Sequence, residues 1–153
     1  MLNVERFKNV LEPACGEGHL SKRLIELGVE VHSSDLIDRG YGKVADFFGI
    51  EKWEGDLITN PPYNIAQKFV EHSLKVVPEG NKVAMFLKLT FLEGQARRKM
   101  FEKYPPKTVY VFSKRIKCAK GGDFNGFSSS AVAYAWFVWE KGFKGKPQIE
   151  WID

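Results

Sequence analysis

The chain has few of the residues that hold small folds together through covalent bonds or metals. It carries two cysteines, Cys15 and Cys118, and three histidines, His19, His32 and His72. The cysteines lie far apart and match no metal-ligand spacing, so they read as free thiols of an intracellular protein rather than a disulfide, and no zinc or other metal site is expected. No apolar run approaches the ~20 residues that cross a bilayer, and the opening Met1-Leu2-Asn3-Val4-Glu5-Arg6 lacks the shape of a signal peptide. The expectation is a cytoplasmic protein with no membrane partner. Repeats and low-complexity tracts are missing as well, so nothing marks a linker. A sequence of 153 residues then suits one domain, 1–153, with a real core and little room for a second. The net charge of +4 permits a polyanionic partner without requiring one.

What is present is an alternation of strand and helix patterns. Asn9 to Cys15 reads as a short buried strand running into the glycine turn Gly16-Glu17-Gly18. Leu20, Leu24, Ile25 and Leu27 then form one helical stripe that Gly28 is placed to end. Val29 to Ser33 is a second strand ending at Asp35, and residues 38–55 carry only a weak pattern with a short helix near Ala45 to Ile50. Asp56 to Thr59 is a strand leading directly into Asn60. Asn64 is placed to cap the next helix, with Gln67 three residues on and Ala66, Phe69, Val70, Ser73, Leu74 and Val77 facing inward. Strands at Lys82 to Leu89, Lys107 to Ser113 and Ala131 to Trp139 follow, with a helix carrying Ala96, Met100 and Tyr104 between the first two and a short edge strand at Ile149 to Ile152. The basic run Arg97-Arg98-Lys99 reads as a solvated helix face. This order predicts an α/β fold with helices on both faces of a sheet. Ligands in such sheets bind outside the carboxyl ends of the strands, where Gly16, Asp35 and Asn60 would share one rim.

Asn60-Pro61-Pro62-Tyr63 carries the most chemistry. An exocyclic amino group, or a carboxamide nitrogen, has its lone pair delocalised and is a poor nucleophile. An asparagine side-chain oxygen and a backbone carbonyl can each accept one of its N–H groups, favouring the tetrahedral nitrogen on which positive charge develops. Prolines fix φ and remove backbone donors, leaving the Pro61 carbonyl free to point at a substrate, and Tyr63 offers a face for a flat group. The same tetrapeptide is also compatible with an ordinary extended turn. Gly16-x-Gly18 at the end of the first strand and Asp35 about twenty residues on suit a ribose-bearing cofactor, either a nicotinamide dinucleotide or S-adenosylmethionine. The third glycine of the dinucleotide pattern is missing, and Glu12 would repel a pyrophosphate but suits an ammonium. Those two features, with the tetrapeptide, favour S-adenosylmethionine.

Taken together these segments resemble the class I S-adenosylmethionine-dependent methyltransferases, and among them the adenine-specific DNA methyltransferases, most of all small phage-type proteins. Glu12-Pro13-Ala14-Cys15-Gly16-Glu17-Gly18 is similar to the family's first motif, Asp35-Leu36 to the acidic end of its second strand, Asp46-Phe47 to the pair that meets the cofactor's adenine, and Asn60 to Tyr63 to its catalytic motif. The resemblance implies a Rossmann-like class I methyltransferase fold, with a mostly parallel seven-stranded sheet, an antiparallel last strand and helices on both faces. It assigns Asn60, Pro61, Pro62 and Tyr63 to catalysis. It assigns Glu12, Pro13, Ala14, Cys15, Gly16, Gly18, Asp35, Leu36, Asp46, Phe47 and Asn60 to the cofactor. Only Met1 to Lys8 stand where the family has a segment that helps hold the methionine carboxylate, and there is no target-recognition domain. Any site selection would then come from loops or from a partner, and the sequence is compatible with a homo-oligomer or a separate target-recognition partner.

Residues 114–130 show no period. Lys114, Arg115, Lys117 and Lys120, with Phe124 and Phe127, give this stretch the basic and aromatic composition that suits phosphates and an unpaired base, though a solvated surface loop reads the same way. The leading expectation is methyl transfer to N6 of adenine, in DNA rather than RNA, with Tyr63 stacking on an extruded base. Methylation of a protein glutamine or an RNA base is the alternative within enzymes, and a non-catalytic cofactor-binding subunit the alternative outside them.

Overall fold

The computed structural model describes residues 2–116 and 132–153. Among these residues eight strands form one sheet in the order β3-β2-β1-β4-β5-β7-β6-β8. In chain order these are β1 (Val10–Glu12), β2 (Val31–Asp35), β3 (Lys43–Val44), β4 (Leu57–Thr59), β5 (Lys82–Lys88), β6 (Thr108–Phe112), β7 (Tyr134–Glu140) and β8 (Gln148–Ile152). Three helices accompany them, α1 (His19–Glu26), α2 (Ala66–Val76) and α3 (Gln95–Lys103). β7 runs antiparallel to both β5 and β6, and every other pairing is parallel.

The sheet therefore has eight strands where seven were expected, and its antiparallel strand is not the last. The short edge strand read at Ile149 to Ile152 is β8, which pairs in parallel with β6, Thr108 opposite Gln148 through Phe112 opposite Ile152. β3 is a two-residue strand in the stretch without a clear pattern.

Side chains alternate across each strand and so divide the core in two. Leu11, Leu57, Val83, Met85, Leu87, Phe137 and Trp139 pack with Phe69, Val70 and Leu74 of α2 and Met100 of α3. On the other face Val10, Ile58, Ala84 and Val138 meet Leu24 of α1 and the N-terminal Leu2 and Phe7. Gly28, at φ 86°, follows Leu27, the C-cap of α1, and its N–H bonds to the Ile25 carbonyl, the left-handed stop that the sequence announces. The cap foreseen at Asn64 does not form. A 3-10 turn over Tyr63–Ile65 comes first, so α2 starts from Ile65 without a side-chain cap, and Gln67 bonds to Glu71 instead.

Asp56 fixes the amino end of the central strands. Its buried carboxylate accepts from the Lys8 N–H at 2.7 Å, the Lys82 N–H at 2.8 Å and Asn81 Nδ2 at 2.9 Å. One acid thus ties the starts of β1, β4 and β5 together, so that their carboxyl ends open side by side at the opposite rim.

Candidate active site

The turn after β1 departs from ordinary backbone at two glycines, Gly16 at φ 55° and Gly18 at φ 87°. A side chain at Gly16 would meet nothing, whereas a Cβ at Gly18 would lie 2.5 Å from the Tyr41 ring. Gly18 is thus glycine for two reasons, conformation and contact. The Gly16 N–H donates to Asp35 Oδ2 at 2.9 Å, and the Ile37 N–H donates to Asp35 Oδ1 at 3.0 Å. Both oxygens of Asp35 are oriented by backbone, and each keeps lone-pair capacity for a further donor such as a ribose hydroxyl.

Glu12 lies on the α1 side of the sheet. It is 1 % exposed, its carboxylate accepts from the Ser21 hydroxyl, and Ser21 in turn shares a 2.7 Å hydrogen bond with Ser33. Burial, resisted by the Ser21 bonds and aided by the charge of Asp35, pushes the Glu12 carboxyl up to about 7. Burial, then Glu12 and Asp35, also push the Cys15 thiol up to about 11, so Cys15 is a neutral, buried side chain at neutral pH.

A cavity of about 460 Å³ opens at the carboxyl ends of β1, β2 and β4. Its walls combine Pro13, Ala14, Asp35 and Leu36 with Asp46 and Phe47 and with Asn60, Pro61 and Pro62. Segments separated by more than forty residues in sequence are brought around one space of a size that holds cofactors. Asp46 accepts from the Phe48 N–H at 3.0 Å and so caps the 3-10 turn Phe47–Gly49. Phe47 is buried against Phe69 and His72, while Phe48 is 42 % exposed. Ile37, Arg39, Phe48 and Ile65 also line the cavity and were not singled out from sequence.

Asn60 is exposed one residue beyond β4, Pro61 is buried and Pro62 exposed. Tyr63 stands to one side: its hydroxyl lies 3.3 Å from Thr90 Oγ1, and Lys88 Nζ sits 4.4 Å from its ring centroid. Lys88 ends β5 opposite Tyr134 of β7, and Val111 of β6 pairs with Ala135, so the exposed Lys114 and Arg115 just beyond β6 belong to the same rim. Lys117, Lys120, Phe124 and Phe127 lie outside the described residues, as does Cys118. Among the described residues no group of three or more His, Cys, Asp or Glu side chains could hold a metal ion, and no helix is long and apolar enough to cross a membrane.

No protein-family model matches the chain, and no curated protein is detectably similar in sequence. Solved structures do match in fold. A candidate RNA methyltransferase of Pyrococcus horikoshii aligns with a TM-score of 0.64 at 15% identity, over 89% of this chain and 76% of that one. A candidate O-methyltransferase of Agrobacterium tumefaciens gives 0.64 at 10% identity, over 94% and 78%. The M protein of the type I restriction enzyme EcoKI gives 0.59 at 16% identity, over 89% of this chain but only 40% of that one. Fold and topology are those of the Rossmann-like class I methyltransferases. The donor set at this rim suits S-adenosylmethionine: the Gly16 N–H is bonded to the Asp35 carboxylate at the end of β2, and the same carboxylate lines an apolar-walled cavity.

Proposed function

We propose that this protein transfers a methyl group from S-adenosylmethionine to an exocyclic amino nitrogen, with N6 of adenine in DNA as the leading substrate. The observation that carries this reading is the placement of Asn60, Pro61 and Pro62 on the wall of the same cavity as Asp35 and Asp46. A methyl donor alone would need only the β1 and β2 ends. An Asn-Pro-Pro-Tyr segment beside it supplies two acceptors for one amino group.

In this reading Asp35 would hold the ribose hydroxyls, Asp46, Leu36 and Phe47 would hold the cofactor's adenine, and Pro13 to Gly18 would hold its methionine portion. The cofactor supplies an electrophilic methyl group on a sulfonium. The Asn60 side-chain oxygen and the Pro61 carbonyl accept the two N–H groups, so the lone pair of the substrate nitrogen leaves the ring and is directed at the methyl carbon. A nitrogen that has gained the methyl group would be strongly acidic and would lose its proton to solvent, which removes the need for a strong base among the residues here. Tyr63 stacks on the base that is brought out of its helix. Lys114 and Arg115 at the rim meet the strand around it, a role that the composition of Lys117, Lys120, Phe124 and Phe127 also suits.

Incubation with labelled S-adenosylmethionine and, separately, DNA, RNA and cell extract tests the proposal. Label on adenine in DNA is the expected result. Label on RNA alone would move the substrate, and label on protein alone would overturn the nucleic-acid reading.

A further inference from the structure

A second concavity lies apart from the active-site cavity. A groove of about 800 Å³ runs between α2 and α3 on the face of the sheet that packs against both. Its lining carries five lysines, Lys68, Lys75, Lys99, Lys103 and Lys141, against one carboxylate, Glu71, which is held by Gln67. Lys141 is engaged, donating to the Val77 and Lys75 carbonyls at the end of α2, and Lys103 stands over the Tyr104 ring. Lys68, Lys75 and Lys99 are exposed and take part in no ion pair among the described residues.

The run Arg97-Arg98-Lys99 does not act as one face. Arg97 packs over Phe91 and donates to the Thr90 and Glu93 carbonyls, and Arg98 pairs with Glu102. Only Lys99 lines the groove. Along α3, Lys99 and Lys103 are one turn apart, about 6 Å, and along α2, Lys68 and Lys75 are two turns apart, about 10 Å. Charges spread along a channel suit a chain of anions better than one anion. The groove floor is made by Leu74 and Met100, both buried in the core, and Phe48 is the one exposed aromatic among the described residues of its lining, so the excess of lysines rather than an apolar patch sets the character of its walls. One end opens towards the reaction site: Phe48 lines both the groove and the active-site cavity, and Gln67 and Lys68 stand in the first turn of α2, just beyond Tyr63.

We propose that the α2–α3 groove holds the phosphate backbone of the nucleic-acid strand whose base enters at Asn60 to Tyr63. The inference rests on the nucleic-acid reading above and gives it a holding surface separate from the rim beyond β6.

The test compares the full chain with the Lys68→Gln/Lys75→Gln/Lys99→Gln variant, titrating a fluorescent single-stranded oligonucleotide over a range of salt. Three lost phosphate contacts should lower the slope of log affinity against log salt by about 2, and weaken binding at low salt on the order of tenfold or more. Cofactor affinity and methylation of an adenine dinucleotide should not change, because neither reaches the groove. Glu71→Lys should do the reverse, tightening binding and steepening the slope. Unchanged binding in both variants, with wild-type methylation of DNA intact, overturns the groove alone. A wild-type protein that neither binds nor methylates nucleic acid overturns the function and the groove together. Lysine-dependent binding of polyglutamate without binding of oligonucleotide would assign the groove to an acidic protein and overturn the proposal.

Discussion

Lys88 Nζ lies 4.4 Å from the centre of the Tyr63 ring, so an ammonium at the end of β5 covers one face of the tyrosine proposed to stack on the substrate. The hydroxyl of the same tyrosine is 3.3 Å from Thr90 Oγ1, two residues beyond Lys88. The ring is therefore positioned by β5 and the turn after it, and it is 37 % exposed for a base to stack against. A cation–π contact at such a site contributes about 0.5–1 kcal/mol. Lys88→Met keeps the side-chain bulk and removes the charge. We expect a rise in KM for an oligonucleotide of roughly two- to fivefold with kcat little changed, read from steady-state kinetics. A loss confined to kcat would mean that Lys88 acts on the chemical step.

Asn60→Ala removes one acceptor for the amino group and leaves Asp35 and Asp46 untouched. Loss of one positioned hydrogen bond to a developing charge costs about 10²–10³ in kcat. Labelled-methyl transfer should fall by that amount while cofactor affinity, read by calorimetry, stays close to wild type. Near-normal turnover in this variant would sink the catalytic assignment.

Asp35 connects two backbone amides, those of Gly16 and Ile37, to the cofactor cavity. Asp35→Ala should weaken S-adenosylmethionine binding by roughly ten- to a hundredfold, as expected for hydrogen bonds to a charged group. Asp35→Asn retains one acceptor oxygen and should lie between. Calorimetric titration of the two variants separates the loss of charge from the loss of the hydrogen bonds to the Gly16 and Ile37 amides.

The elements that the sequence makes legible are those with a local physical signature. Gly16 and Gly18 mark a turn because left-handed backbone is otherwise costly, and both adopt it. The stretch Asp56 to Asn60 and the α2 stripe are legible from burial periodicity, and α2 buries Ala66, Phe69, Val70, Ser73 and Leu74. Contacts made across the sheet leave no such signature. Lys88 and Thr90 reach Tyr63 only because β5 lies beside β4, and Lys68 faces Lys99 only because α2 and α3 share a face. Phe48 stands next to Phe47 in sequence and both rings pack on Phe69 and His72, yet only Phe47 is buried, a difference that sequence spacing does not carry. Glu12 illustrates a rule that was available: strand alternation puts it on the face of Val10, towards α1 and Ser21.

Gly16 and Gly18 should respond differently to alanine. At Gly16 the added methyl meets nothing, so Gly16→Ala loses only the left-handed preference, about 1–2 kcal/mol. At Gly18 the methyl would also drive into Tyr41, whose ring carries Lys22 on one face at 5.1 Å. Gly18→Ala should therefore lower the melting temperature more than Gly16→Ala, and Tyr41→Ala should recover part of the difference. Equal melting temperatures for the two single variants would remove the steric account.

Glu12 makes stability depend on pH in an unusual direction. Its carboxyl is raised from 4.5 to about 7, first by burial and then by the charge of Asp35. Between those values the folded protein binds a proton that the unfolded chain has lost. The contribution of this group is thus fully present below about 4.5 and declines as pH rises to about 7, a change of about 3 kcal/mol. Glu12→Gln keeps the shape and cannot ionise. The difference in urea-unfolding free energy between wild type and Glu12→Gln should shift in favour of the variant across that window and level off above it. A difference that stays flat from pH 4.5 to 8 would show that Glu12 is ionised in the folded protein throughout, with Ser21 and Ser33 sufficient to hold the charge.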